Sequence, residues 1–195
     1  MTKVLLIVDG ERDVWMLPAI VATHLGRPIK PKVLTWKSPE LRIRGTGFGR
    51  KLKLAIRIAE DEENNGLIAF VDHDRSKRPR RVELNKARQE SRDQGYGKGP
   101  IAIGEAIPHG EAWLLDAHTA VQTVLGLGAD AKIPDVKKDA KQPLDSLLRT
   151  HWEGTRQEAF EQIAQLVDVA KTRRSKDTGL KPFIDDLIRE FESRT

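Results

Sequence analysis

The chain of 195 residues is 38% hydrophobic and 32% charged, enough apolar material for a buried core inside a heavily charged surface. It contains no cysteine, which excludes disulfides, thiolate nucleophiles and thiolate zinc sites and leaves any metal to carboxylates assisted by histidine or water, hence Mg²⁺, Mn²⁺ or Ca²⁺ before zinc. Its 34 Lys and Arg against 29 Asp and Glu give a net charge of +5, which permits a polyanionic partner without demonstrating one.

Strand and helix signals alternate through the first half. Residues 3–8 are a continuous Val/Leu/Ile-rich run, as in a strand buried on both faces. The run ends in Asp9-Gly10, and Val14, Leu17, Ile20, Val21 and Leu25 then predict a helix that Gly26 stops. The runs VLLIV and GLIAFV are far shorter than the roughly 18–20 residues of a membrane span. Asp9 and Glu11 stand where a signal peptide needs small residues, so a cytoplasmic protein without a membrane partner is expected.

A short second strand is predicted over 32–36. The basic, Gly-rich stretch 38–53 then leads into a helix carrying Leu52, Leu54, Ala55, Ile58 and Ala59. Asn64-Asn65-Gly66 breaks the chain before a third strand over 67–71. A polar helix over 81–93 and a fourth strand over 101–107 complete a β-α-β-α-β-α-β pattern. That pattern predicts an α/β fold with a largely parallel, Rossmann-like sheet flanked by helices. From residue 111 the chain reads as helical, over 111–125, 144–152, 157–171 and 181–192, with a Pro- and Lys-containing connector at 130–142. The expected organisation is an α/β catalytic domain over 1–125 and a helical C-terminal extension over 126–195 packed on it.

Open parallel sheets place function beyond the carboxyl ends of their strands, and here those ends carry acids. The first strand delivers Asp9, with Glu11 and Asp13 behind it; the third delivers Asp72 and Asp74; Glu111 follows the fourth. Residues two apart in an extended segment point the same way, so Asp72 and Asp74 can aim two carboxylates at one point. Converging carboxylates repel one another until a divalent cation relieves them. Two such ions about 3.5–4 Å apart stabilise both the attacking and the leaving oxygen of a phosphodiester. Each acid alone has an ordinary reading as a helix cap, turn former or arginine partner. Glu11 and Asp116 are left with that reading.

Cations flank these acids. Residues 75–81 read RSKRPRR, and residues 42–53 add Arg42, Arg44, Arg50, Lys51 and Lys53 among glycines. A basic run is usually a solvated loop, but beside a metal site it can hold a phosphate backbone, and Arg75, Lys77, Arg78, Arg50 and Lys51 are the candidates for that task. No GK[ST] follows the glycines, so they are not a Walker loop. Alternation turns His73 away from the carboxylates, His109 reads as a turn residue, and the four tryptophans read as core.

VLLIVDGERD followed by IAFVDHDRS resembles the Toprim domain of topoisomerases, DnaG-type primases, RecR proteins and overcoming-lysogenization-defect (OLD) nucleases. Asp9-Gly10 and Asp13 match its first motif, EG-x-x-[DE]; Asp72 and Asp74 match its D-x-D motif. The resemblance implies that the D-x-D acids bind Mg²⁺ and that the first acid, usually Glu, is a general acid/base or metal ligand. Asp9 departs from that pattern by one methylene. GEAWLLD is similar to the FE-x-W element of small stand-alone bacterial Toprim-like proteins related to OLD nucleases. Lys141-Gln142-Pro143-Leu144 and KPFIDDL match elements of their helical tails more loosely.

What the resemblance implies is a nuclease dependent on two Mg²⁺ or Mn²⁺ ions held by Asp9, Asp72, Asp74 and Glu111, with Asp9 or Asp13 assisting proton transfer. Its substrate would be DNA or RNA. A role in phage defence with a separate ATPase belongs to the same expectation; the oligomeric state is left open, with a homodimer among the options. A topoisomerase would need a nucleophilic tyrosine in a suitable setting, and Tyr96 lies in GYGKG; the zinc-binding and polymerase regions of a primase are not found. Two alternatives remain: a degenerate Toprim module that binds nucleic acid or a protein, and a phosphotransfer domain, ranked last because no strand-end lysine is evident.

Overall fold

The computed structural model describes residues 2–43, 47–73, 79–136 and 139–192. Asp74, Arg75, Lys77 and Arg78, together with Arg44, lie outside the described residues.

The apolar runs become four parallel strands, β1 (Thr2–Val8), β2 (Ile29–Thr35), β3 (Leu67–Asp72) and β4 (Ile101–Ala106), in the order β2-β1-β3-β4. Three helices connect them: α1 (Glu11–Leu25), α2 (Phe48–Asp61) and α3 (Arg80–Asp93). Gly26 ends α1 in the left-handed conformation, φ 60°, which a residue without Cβ adopts freely. β2 begins earlier than its sequence suggests because Pro31 lies within it. An edge strand tolerates a proline, and β2 pairs with β1 alone.

Both faces of the sheet are covered, and strand alternation divides the core in two. Leu5, Ile7, Ala69, Val71 and Ile103 pack with Leu52, Ala55 and Ile56 of α2 and Leu84 of α3. Val4, Leu6, Val8, Ile68 and Phe70 pack with Met16, Leu17, Ile20 and Val21 of α1. The chain therefore crosses one face between β1 and β2 and the other between β2 and β3. This switch opens a crevice at the carboxyl ends of β1 and β3, where doubly wound sheets place their sites.

The second half is helical: α4 (Glu111–Asp116), α5 (His118–Val124), α6 (Lys141–His151), α7 (Arg156–Gln165) and α8 (Leu180–Glu192). The helix expected over 111–125 divides at Ala117, where buried Asp116 accepts the Arg174 N–H at 2.7 Å. The helix expected over 157–171 stops at Gln165, because Asp168 takes up the Ala170 N–H in a turn and Leu166 stays half exposed. Leu144 of α6, Phe160 of α7 and Phe183 of α8 join the same buried cluster as α1, so residues beyond 126 share their core with the sheet.

α8 runs along β4, the sheet's edge. Asp186 accepts the Ile103 N–H at 2.9 Å and Glu190 the Ile101 N–H at 3.3 Å, so carboxylates occupy donors that a further strand would use. Arg88 of α3 closes the network on Asp186 at 3.0 Å and on the Ile101 carbonyl at 2.7 Å, while Arg92 meets Glu190 at 2.5 Å. No helix among the described residues is long and apolar enough to cross a membrane.

Candidate active site

Each strand end delivers its residues to one crevice. β1 runs into Asp9, and α1 starts two residues later with Asp13 on its first turn. The Asp13 carboxylate turns back to accept the Gly10 N–H at 2.8 Å, capping the helix start. β3 ends at Asp72, whose backbone N–H donates to Asp9 Oδ2 at 2.6 Å, clasping the two strand ends. Asp72 Oδ1 accepts the Gly110 N–H at 3.0 Å from the loop after β4. A Cβ at position 110 would stand 2.3 Å from the Met16 Cε and 2.8 Å from the Asp13 Oδ1, so glycine lets this loop approach without displacing either side chain. Glu111 follows as the first residue of α4.

Asp9, Asp13, Asp72 and Glu111 thus line one cavity of about 540 Å³. Asp13, Asp72 and Glu111 are all buried. Burial, reinforced by the charges of Glu111 and Asp9, pushes the Asp13 carboxyl up to about 7 against the pull of the Gly10 N–H. Asp72 is pushed up to about 8, again by burial first and then by Asp13 and Asp9, with the Gly110 N–H and Lys141 opposing. The pair sits buried among other carboxylates.

Cations ring the same cavity. Arg12 of α1 bridges Glu111 at 3.1 Å and Asp145 of α6 at 3.0 Å. Lys141, the first residue of α6, brings its ammonium to 4.0 Å from Asp72 Oδ2. Lys37 stands just past β2, and Arg80 at the start of α3 lies 3.8 Å from Asp9 Oδ2. Among the described residues no group of three or more carboxylates or histidines is arranged to hold a metal ion as it stands. Asp9 and Asp72 are turned to backbone donors and Glu111 to Arg12.

The other expected residues fall as follows. Glu11 borders the cavity from the start of α1. Arg50 is exposed on the first turn of α2, outside the cavity lining, whereas Lys51 donates to the Trp36 carbonyl. His73 turns to Glu105 of β4 at 2.6 Å, and Glu105 also accepts the Arg80 and Arg81 N–H groups at 2.9 and 3.0 Å, capping α3. Asp116 holds the turn at Arg174 away from the site.

Sequence reasoning did not single out Arg12, Lys37, Arg80 or Lys141 as site residues. Lys37 carried a usable signal, because it directly follows a predicted strand, and it corrects the statement that no strand-end lysine exists. Lys141 opens the KQPL element without a site role having been read into it, and Arg12 follows Asp9 by three residues. Arg12 reaches the cavity from the first turn of α1 and Lys141 from the start of α6.

The chain was compared with protein-family models, curated proteins and solved structures, and none of them matches.

Proposed function

We propose that this chain is a Toprim-type nuclease that hydrolyses phosphodiester bonds of DNA or RNA with Mg²⁺ or Mn²⁺. The supporting observation is the cavity where Asp9, Asp13, Asp72 and Glu111 meet from three strand ends beneath Arg12, Lys37, Arg80 and Lys141. Buried acids with strongly raised affinity for protons, gathered in a crevice, mark sites of chemistry more often than of stability.

The donor set suits a hard divalent cation. Every acidic side chain in it offers oxygen, and the burial and then the mutual repulsion that raise Asp13 and Asp72 are what an ion would relieve. Asp9, Asp72 and Glu111, with Asp74 outside the described residues, would hold it. The ion would supply charge neutralisation at the phosphoryl oxygens. Arg12, Lys37, Arg80 and Lys141 bind and orient phosphate oxygens. Asp13, titrating near neutrality, passes a proton to or from the reacting oxygens or water beside it.

The test is cleavage of supercoiled plasmid, linear duplex and single-stranded RNA with Mg²⁺, Mn²⁺ or EDTA, beside Asp72→Ala. Metal-dependent cutting lost in Asp72→Ala is expected; cutting that survives both EDTA and the substitution refutes the reading. A separate ATPase as partner is sought by co-purification, with stimulated cutting as the expected outcome.

One observation favours the degenerate-module reading: Asp9 is a methylene shorter than the usual Glu, and its carboxylate is engaged by the Asp72 N–H. That reading predicts nucleic-acid binding with a melting temperature indifferent to Mg²⁺ and Mn²⁺. Phosphotransfer gains Lys37, but its acceptor would be that same engaged Asp9.

A further inference from the structure

A second cavity of about 290 Å³ opens beside the acidic one and shares Asp9, Lys37 and Phe48 with it. Its character is different. Trp36, Ile43 and Phe48 wall it, while Lys37, Arg42 and Lys51 stand around it. Apart from Asp9 at the junction, its described lining holds no acid.

The walls are tied to one another and to the sheet. The Phe48 ring meets Trp36 edge-on at 5.1 Å, and the Arg80 guanidinium lies over the Phe48 ring at 4.7 Å. Trp36 donates its indole N–H to the Phe70 carbonyl at 2.7 Å, so it turns hydrocarbon rather than a donor toward the cleft. An apolar aromatic slot with cations around it stacks a planar heterocycle and neutralises the phosphates attached to it, the combination found in single-strand binding grooves. The volume stands at the small end of ligand sites, which span roughly 300–1,000 Å³. A single base fits within it.

We propose that this cleft takes one unpaired nucleobase next to the scissile phosphate, which makes the substrate class single-stranded or locally unpaired nucleic acid. The inference rests on the nuclease reading for what happens at Asp9, but the cleft's own ligand is read independently by binding. A base in the slot has left its helical stack. An intact duplex must meet that unstacking cost before binding, while a single strand does not.

The experiment uses the full chain in EDTA, so that binding is measured without turnover. The probes are short oligonucleotides carrying 2-aminopurine at successive positions, as single strands and as duplexes. Quenching confined to one position is expected, with single strands binding at least tenfold more tightly than duplexes. Phe48→Leu should weaken single-strand binding roughly 5- to 150-fold, the range for one lost base stack. Arg42→Ala, at an exposed position that leaves the fold alone, should lower the slope of log K against log salt by about 0.7.

Duplex bound as tightly as single strand, or unquenched probe with binding unchanged in Phe48→Leu, overturns the proposal. Should Phe48→Leu not fold, the probe quenching and Arg42→Ala decide. Quenching and single-strand preference in a protein that cuts nothing with either metal leave the cleft standing and remove the nuclease reading. Metal-dependent cutting of intact duplex, unaltered in Phe48→Leu, removes the cleft and keeps the nuclease.

Discussion

Two groups of buried acids sit on opposite parts of this molecule, and their surroundings contrast. At the edge of the sheet, Asp186 and Glu190 of α8 are answered by Arg88, Arg92, Arg189 and the N–H groups of Ile101 and Ile103. Burial alone would raise Glu190, yet Arg92, the Ile101 N–H and Arg88 bring it below the usual carboxylate range. At the strand ends, Asp13 and Asp72 receive one backbone N–H apiece and distant help from Lys141, and they stay raised. Satisfied charge holds a fold together; unsatisfied charge waits for something to bind.

The contrast breaks most visibly at α8. Asp186→Ala takes from half-buried Arg88 the nearer of its two carboxylate partners, leaving Glu190 at 3.4 Å, and uncovers the Ile103 N–H, and is expected to cost about 3 kcal/mol, the low end for splitting a buried pair. Denaturant midpoints measure it. A loss under about 1 kcal/mol would show that the two groups of acids are energetically alike.

The second prediction concerns pH. Between about 4 and 8 the folded protein keeps protons on Asp13 and Asp72 that the unfolded chain has already released. Their contribution to stability is therefore full below about 4 and is lost as pH rises through 7 and 8. The metal-free melting temperature should fall from pH 5 to pH 8 more steeply in the wild type than in Asp13→Asn/Asp72→Asn. At pH 8 the double variant should be the more stable of the two by about 5 °C or more. Mg²⁺ or Mn²⁺ should raise the wild type at pH 8 and leave the variant unmoved. Equal pH profiles would contradict the raised acids.

Arg12→Ala removes the bridge between Glu111 and Asp145 and should cost about 1–3 kcal/mol, with nucleic-acid binding weakened as well. Lys53→Ala breaks the surface pair with Glu90 and should leave the denaturant midpoint where it is. A lowered midpoint there would mean that exposed pairs carry weight in this fold.

The sequence made the strand ends legible because each apolar run stops abruptly at an acid: VLLIV at Asp9, LIAFV at Asp72. That abruptness placed Asp9, Asp13, Asp72 and Glu111 at one edge of the sheet, and the folded chain brings them to one cavity. The same cue missed the ring of cations, whose positions depend on closure over long chain separations, as when α6 lays Lys141 above Asp72. It also made one helix of 111–125, because periodicity does not register that Asp116 is pulled toward Arg174. The acids of α8 drew no reading of their own. Their burial follows from β4 being an edge strand, which no local pattern states.

The covered margin at β4 bears on how copies of this chain can associate. Carboxylates already sit on donors that a neighbouring molecule's strand would claim, and at the opposite margin Pro31 withholds one from β2. Growth by laying sheet against sheet, the route to swapped strands and fibrils, is obstructed at both ends. A second copy would meet a covered edge at β4 and an edge missing one donor at β2.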